Sequence, residues 1–411
     1  MKNFFQVKTV EEVLLLLEQF EALPAEEVDL PGAAFRVLAE DIGSDEDIPD
    51  FDRSTMDGFA VRARDTFGAT EGLPGLFDLV GEVRMGSAPG CAVDPGQAVR
   101  VWTGGMMPPG SDAVVMIEYS RLVDETQVEL ARPAAPGDNV IRRGEDIRRG
   151  QVLIPRGRRL RPQDVGLLAA MGRTRVPVRL KPRAAVLSTG DEIVPIEQRP
   201  REGQVRDVNS YSLAAMIEQA GAGAERRGLV KDDPRALGEA VASSLERADV
   251  VILSGGSSVG VRDFTIEALE SIPGASILVH GVAVSPGKPT IMAKVGNKSV
   301  WGLPGHTVSA MITCDLFVRP LLSRLEGELG PDDSRGKVVT ARLARNAPSV
   351  HGRTDFIRVR LEKDGPGYTA HPIFGKSGLI STMVKADGLI KIDLHQEGLP
   401  KGVLVEVKLF D

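Results

Sequence analysis

The sequence predicts a multidomain protein of α/β plus β class: a mainly parallel doubly wound α/β sheet domain, a β-rich inserted domain and a small C-terminal all-β domain. Three observations carry that expectation. Between Lys181 and Glu326, short apolar runs alternate with amphipathic stretches in a β-α-β-α succession, which right-handed crossovers wind into a mainly parallel sheet. From Asp47 to Arg142, brief β-like runs such as Ala113–Ile117 alternate with Gly/Pro loops such as Met106–Ser111. After Gly330 the pattern alternates and is broken by turns up to Asp411.

Length requires the division. A chain of 411 residues exceeds what one compact core holds. Thr9 followed by Glu12 reads as a capping box opening a helix through Phe20. That helix has no core of its own, so we expect it to pack with residues 143–180, which supply a short strand and a helix through Val165–Met171. The expected domains are therefore 1–46 with 143–180 as a discontinuous N-terminal α/β domain, 47–142 inserted into it, 181–326 as the main α/β domain, and 327–411 as the C-terminal β domain.

Within 181–326, Ala184–Leu187 reads as a strand ending in Ser188-Thr189-Gly190-Asp191-Glu192. Asn209 is placed to cap a helix whose apolar face uses Leu213, Met216, Ile217 and Ala220, with Gly221 stopping it. A strand ends near Val230, and Asp232-Asp233-Pro234 opens a helix with Leu237, Val241 and Leu245 on one stripe. Asp249–Leu253 is the next strand, followed by Ser254–Gly260 and a helix from about Phe264. Ile277–Val284 leads into Ser285-Pro286-Gly287-Lys288-Pro289. Thr290–Val295 and Lys298–Leu303 form a hairpin turned at Gly296-Asn297, and a long apolar helix runs from His306 to Leu325. The polar segments after Leu187, Val230, Leu253, Val284 and Leu303 should then collect at the carboxyl edge of the sheet, where open α/β sheets bind ligands.

Bulk composition narrows the function. Apolar residues make up 42% and charged residues 26%, the balance of a folded globular chain. A formal charge of −7 provides no global attraction to nucleic acid. The arginine-rich stretch Arg142–Arg161 is a local exception, either a solvated connector face or a phosphate or partner surface. Cys91 and Cys314 make neither a disulfide framework nor a zinc site, which fits a reducing compartment. The Leu14–Leu17 run is flanked by Glu11, Glu12 and Glu18, unlike a signal peptide, and no uninterrupted apolar stretch is long enough to span a membrane. A cytoplasmic protein is expected.

Candidate chemistry concentrates in the expected sheet-edge loops. Gly255 and Gly256 let backbone N–H groups approach an anion, and Ser257 and Ser258 can donate to phosphate oxygens. Asp263 would repel a bare phosphate, so it suits Mg²⁺ or a ring amine. The segment lacks the Gly-Lys-Ser/Thr ending of a P-loop. Asp191 and Glu192 suit a hard cation or general base work, or are ordinary loop acids. Asp232, preceding Asp233-Pro234, reads in isolation as a helix cap. Lys288, between Gly287 and Pro289, offers a positive charge on a stiffened loop for a phosphate or oxoanion. His306 follows Leu303-Pro304-Gly305 at a helix start, where an anion can dock. In the insertion, Ser54-Thr55-Met56-Asp57-Gly58 and Thr103-Gly104-Gly105 are polar loops between apolar strands, and each alone reads as a turn.

Taken in order, these segments resemble the molybdopterin molybdenumtransferase family, which includes bacterial MoeA and the E domain of animal gephyrin. The resemblance covers essentially the whole chain. It rests on Phe51–Ala60, Thr103-Gly104-Gly105 with Pro108 and Gly110, Gly144-Glu145-Asp146, Ser188–Glu192, Asn209-Ser210, Ser254–Gly260 with Asp263, Pro286–Pro289, Leu303–Gly305 with Val308–Ala310, Gly352-Arg353 and Ser377-Gly378. The resemblance implies an elongated homodimer, with residues 1–46 and 143–180 as its dimerisation and linker domain. It also implies the last step of molybdenum cofactor biosynthesis. Adenylylated molybdopterin plus molybdate would give the cofactor and AMP, with Mg²⁺ required.

By the same resemblance, Asp57, Glu192, Asp232 and Asp263 are the catalytic acids, with Glu192 and Asp263 holding Mg²⁺. Substrate contacts fall to Thr103, Ser188, Thr189, Gly190, Gly255, Gly256, Ser257, Ser258, Lys288, Pro304, Gly305, His306 and Ser377, with Ser285 and Lys288 at the molybdate end. The implied site lies between the α/β domain of one subunit and the insertion of the other. Transient contacts with molybdopterin adenylyltransferase and recipient molybdoenzymes follow, with no nucleic acid or membrane partner. Three departures stand out: Ser285 where many members carry a basic residue, His306-Thr307 where Asn-Pro is frequent, and Ser257 where Val is common. They raise the alternative of a variant that prefers tungstate. A dimeric scaffold without catalysis is the non-enzymatic alternative.

Overall fold

The computed structural model describes residues 7–255, 259–329 and 337–410, with the side chains of 259–263 outside the description. The chain forms two compact units. One comprises Met1–Glu40, Arg156–Val165 and Arg175–Asp411, the other Asp41–Pro155 and Gly166–Thr174.

The first unit is built on a six-stranded sheet in the order Gly223–Val230, Arg183–Thr189, Val250–Gly255, Lys298–Leu303, Ile291–Val295, Ala275–His280. The first four run parallel, and Ile291–Val295 is antiparallel to both its neighbours. Strict alternation explains how both faces are covered. Ala184 and Val186 point into a core with Leu213, Ile217, Trp301 and Phe317. Ala185 and Leu187 point into the opposite core with Leu237, Val241, Leu245 and Leu269. Helices Asn209–Gln219 and Thr307–Thr313 contribute to the first core, and Pro234–Leu245 and Val259–Glu270 flank the other face. The hairpin closes at Gly296-Asn297, with Val295 opposite Lys298. The doubly wound, mainly parallel sheet is as expected.

Several local expectations need correction. The N-terminal helix Val10–Leu16 has its capping box, but Val10, Val13, Leu17 and Phe20 join the sheet core rather than packing with residues 143–180. Residues after the helix do pair with that region: Ala25–Asp29 runs antiparallel to Arg175–Arg179, and Ile42–Gly43 antiparallel to Val152–Ile154. The helix after Val250–Gly255 begins at Val259 rather than near Phe264. The long C-terminal helix of the sheet domain is interrupted by a π turn at Cys314–Val318 before resuming as Arg319–Leu325. Pro320 supplies the reason: it has no N–H to donate and its ring crowds the preceding turn, so the helix widens there.

The third expected sheet is a closed barrel. Thr354–Asp364, Gly367–Pro372, Val338–Leu343, Leu404–Leu409 and Gly388–Ile392 pair in sequence, and the last also pairs with the first. Closure removes the free edges, and Val359, Ala370, Ile390 and Val407 fill the interior. One short strand from the sheet domain, Val284–Ser285, adds to this barrel in parallel with Thr354-Asp355. The loop after Val284 therefore does not leave a strand of the main sheet, whose corresponding strand ends at His280.

The second unit carries a six-stranded sheet ordered Ala113–Met116, Gly58–Val61, Gln97–Val101, Gly75–Glu82, Gln127–Leu130, Ser120–Leu122. Phe59 and Val61 face one core and Ala60 the other, again by two-residue alternation. Four of the eight arginines in the arginine-rich stretch are held in ion pairs. Arg143 meets Asp47, Arg158 and Arg161 share Asp164, and Arg159 reaches Glu326 and Glu328. The solvated-connector reading fits better than a dedicated phosphate surface.

Candidate active site

Two strand ends of the main sheet are tied together by one side chain. The Asn209 amide nitrogen donates to Ser254 Oγ at 2.7 Å and to the Gly305 carbonyl at 2.8 Å. Asn209 is therefore no helix cap. That duty falls to Asp207, whose carboxylate accepts from the Ser210 N–H at 3.1 Å and from Ser188 Oγ at 2.8 Å. Ser188 is fully buried and Thr189 nearly so, and the Ser188 hydroxyl is committed to Asp207. Gly255 is needed where its strand meets Thr189: with φ of +154°, an added Cβ would lie 1.9 Å from the Thr189 carbonyl oxygen. Gly190, with φ of +147°, leaves room for the Glu192 carboxylate, which lies 2.8 Å from where a Cβ would stand.

Asp191, Glu192 and Asp232 approach one another from two adjacent strand ends. Asp233, not Asp232, caps the helix Pro234–Leu245, accepting from the Ala236 N–H at 2.8 Å. Asp232 is thereby left for other work. Burial first, and the neighbouring Asp191 and Glu192 charges second, push its carboxyl above the usual aspartate range, while the Asp191 backbone N–H opposes the shift. Its Oδ1 is buried with no hydrogen-bond partner among the described residues. An unmatched carboxylate oxygen beside two other acids is a place that lacks positive charge. Among the described residues no group of three or more His, Cys, Asp or Glu is arranged to hold a metal. Gly256, Ser257, Ser258 and the Asp263 side chain lie outside the described residues.

A second cluster lies around the Ser285–Pro289 loop. An open cavity of about 660 Å³ is lined there by Ser285, Lys288, Pro304, His306 and Ser377, all expected from sequence, together with Ser309, His351 and Arg353. The Lys288 side chain is exposed and has no ion-pair partner among the described residues. His306 Nδ1 lies 2.8 Å from Ser377 Oγ, and the Ser377 carbonyl accepts from the Val308 N–H at 3.0 Å at the start of the helix. Arg353 and His351 reach the cavity because Thr354-Asp355 pairs with Val284-Ser285, a long-range pairing of two-residue strands with no periodicity to betray it. Gly352-Arg353 as a motif was the available signal. Ser285 brings a hydroxyl but no charge to this cavity, and Arg353 supplies a positive charge there.

In the other unit, Asp57 and Thr103 do meet. Asp57 Oδ1 accepts from both the backbone N–H and the hydroxyl of Thr103, which together hold the carboxyl below its usual range, the backbone bond contributing most.

Comparison with known proteins follows this layout. Residues 8–172 match the MoeA N-terminal region (domain I and II), 185–324 the probable molybdopterin binding domain, and 340–410 the MoeA C-terminal region (domain IV). A molybdopterin molybdenumtransferase from Haemophilus influenzae is 32% identical, covering 96% of this chain and 97% of that protein. One from Bacillus subtilis is also 32% identical, covering 93% of this chain and 89% of that protein.

The chain belongs to the MoeA family.

A crystal structure of a molybdopterin biosynthesis MoeA protein from Pyrococcus horikoshii OT3 superposes with a TM-score of 0.84 at 32% identity, covering 98% of this chain and 100% of that one. The sheet domain, β-rich region and C-terminal β domain are those of a MoeA-like fold. No helix among the described residues is long and apolar enough to cross a membrane. The sequence reading missed Arg353, His351 and Ser309 as lining residues, and Asp207 as the organiser of the Ser188–Ser210 corner.

Proposed function

We propose that this chain catalyses the final step of molybdenum cofactor biosynthesis, taking adenylylated molybdopterin and molybdate and releasing AMP. The observation that carries this reading is one domain edge with two opposite chemistries: an acid cluster with an unmatched buried oxygen at Asp232, and a cavity lined by Lys288, Arg353, His306 and Ser377. A dianionic oxoanion needs cations and N–H or O–H donors, which the cavity offers. A pyrophosphate bridge needs donors and a counter-charge for its oxygens. The relatives named molybdopterin molybdenumtransferase support the same class.

The acid cluster fits Mg²⁺. That ion takes one or two carboxylates together with water and substrate phosphates, so a closed set of three protein ligands is not required. Glu192 and Asp263 would hold it, with the Asp232 charge beside them, and bound there it supplies charge neutralisation at the phosphates. Asp232, whose Oδ1 has no partner among the described residues, is the acid proposed to accept a proton from the water whose oxygen attacks phosphorus as AMP leaves. Lys288 and Arg353 hold the oxoanion, and His306 with Ser377 directs a further hydrogen bond at it.

The protein is proposed to act as a cytoplasmic homodimer. Its two free cysteines, one buried and one half-buried, suit a reducing compartment. Its substrate is the product of an adenylylating enzyme and its product passes to recipient enzymes, so both are proposed as transient partners. AMP release from purified adenylylated molybdopterin with Mg²⁺, with and without molybdate, tests the assignment. Release that depends on both additions is expected; none under any condition defeats it. Repeating the assay with tungstate in competition decides which oxoanion is preferred, and an unchanged strong preference for molybdate ends the tungsten alternative.

A further inference from the structure

We infer that Asp355 is a positioning residue that holds the Arg353 guanidinium at the wall of the cavity around Lys288, and so sets affinity for the oxoanion rather than turnover. The inference rests on reading that cavity as the oxoanion site.

Arg353 lines the cavity, yet its side chain is 42% exposed. A long side chain in that position spreads over many rotamers unless something holds it. Asp355 does so. Its carboxylate is only 9% exposed, and its Oδ2 accepts from Arg353 Nε at 3.1 Å and from the Ser349 hydroxyl. The contact uses Nε, so the terminal nitrogens keep donors for a dianion.

The place of Asp355 is itself fixed on two sides. It stands opposite Ser285 in the parallel pairing of Val284–Ser285 with the barrel, and opposite Ile392 in the antiparallel pairing within it. The Thr354 N–H also donates to the Ala283 carbonyl at 2.9 Å. The strand pair that carries the Lys288 loop therefore also carries the anchor of Arg353. The small Ser285 side chain opposite Asp355 brings no competing cation. A basic residue there would pair with the same carboxylate. In this chain the anchor serves Arg353.

The test uses the full-length protein, with molybdate and tungstate binding followed by calorimetry and AMP release followed for kcat and KM. Arg353→Ala should weaken oxoanion binding by about 30-fold, the scale of a lost charge-assisted pair. Asp355→Asn should raise the oxoanion Kd and KM by about 10-fold while kcat stays within about twofold, and Asp355→Glu should recover most of the loss. Because Asp355 acts through Arg353, the double variant should bind no more weakly than Arg353→Ala alone. Ser349→Ala, a milder change to the same anchor, should weaken binding about threefold, and only when Arg353 is present.

Losses from Asp355→Asn that add in full to those of Arg353→Ala, or that fall on kcat and Tm with KM unchanged, would overturn the inference and leave a structural carboxylate. Normal binding by Asp355→Asn, with weak binding by Arg353→Ala, would overturn it while sparing the oxoanion site. Normal binding by Arg353→Ala would overturn both. If Asp355→Asn does not fold, Ser349→Ala in the two backgrounds decides the matter on the same terms.

Discussion

Asp57 accepts two hydrogen bonds from Thr103, one from the backbone N–H and one from the hydroxyl, each 2.7 Å long. The residues lie far apart in sequence, and the tight loops that hold them are joined where the Gly104 N–H donates to the Ser54 carbonyl at 2.7 Å. Both side chains are exposed, so the double contact is not there to stabilise a core. It keeps a carboxylate ionised and aimed.

That arrangement separates charge from shape in a simple experiment. Asp57→Asn retains an oxygen able to accept the Thr103 N–H but removes the charge, so AMP release should fall by about 100-fold while Tm at neutral pH falls only slightly. Thr103→Val keeps the backbone donor and loses the hydroxyl. The carboxyl pKa, lowered in the folded protein, should then move back up toward the ordinary value near 4. Its ionised form is stabilised above the unfolded pKa, and that stabilisation is lost as pH falls through the folded one. Thr103→Val moves this loss to higher pH. Carboxyl-carbon NMR titration of Asp57 in both proteins measures the shift directly, and identical titration curves would contradict it.

Lys288 offers a second separation, between steering and chemistry. Its ammonium stands exposed on the loop that lines the cavity. Lys288→Gln should raise KM for molybdate by about tenfold with kcat little changed. The dependence of kcat/KM on ionic strength should become shallower, because exposed charges act over about a Debye length of 10 Å at 0.1 M salt. Stopped-time assays at 20 and 300 mM salt give the comparison; an unaltered salt slope would remove Lys288 from the anion path.

Gly255 tests how tightly the strand ends are set. An alanine Cβ there would fall 1.9 Å from the Thr189 carbonyl oxygen and 2.3 Å from its hydroxyl. Backbone cannot yield that much without parting two paired strands, so Gly255→Ala should cost about 3 kcal/mol or more. Gly274, with φ of +77° and nothing within 4 Å of an added Cβ, is the control. Gly274→Ala carries only the cost of its backbone angle, about 1 kcal/mol. Denaturant melts of the two variants should differ clearly, and equal midpoints would show that the strand ends are looser than drawn.

Local pattern made the sheet domain legible and long-range pairing hid the rest. Ala184 to Leu187 announces a strand buried on both faces, and Gly296-Asn297 announces a hairpin, because each signal lies within a few neighbouring residues. The acids and Lys288 were legible as chemistry in loops. Val284–Ser285 was not legible as a barrel strand: two residues have no period, and their partner lies near Thr354. Arg353 and His351 consequently went unassigned to the cavity. The first helix was sent to the wrong neighbour because an amphipathic face says that it packs, and nothing of where. Asp232 was read as a cap on its own, and only the observed bond from Ala236 to Asp233 frees it.

Asp232 gives the sharpest opposition between stability and function. Its folded pKa is raised, chiefly by burial and then by Asp191 and Glu192, so the folded protein binds that proton more tightly than the unfolded chain. Stability therefore falls as pH rises from the unfolded aspartate value through the folded one, and the penalty stays constant above both. Asp232→Asn removes the penalty. At pH 7 it should raise Tm slightly, by about 1–2 °C once screening of this partly exposed group is allowed for, and the gain should vanish below about pH 4. AMP release should nevertheless fall by about 100-fold or more, because the amide neither accepts a proton nor balances a cation. Adding Mg²⁺ should stabilise the wild-type protein more than the variant, by the linkage between binding and folding. Scanning calorimetry at pH 4, 5.5 and 7 with and without Mg²⁺ reads all three effects. A variant that is less stable at pH 7, or equally stabilised by Mg²⁺, would mean that Asp232 is already matched by a charge within the protein and takes no part in holding the cation.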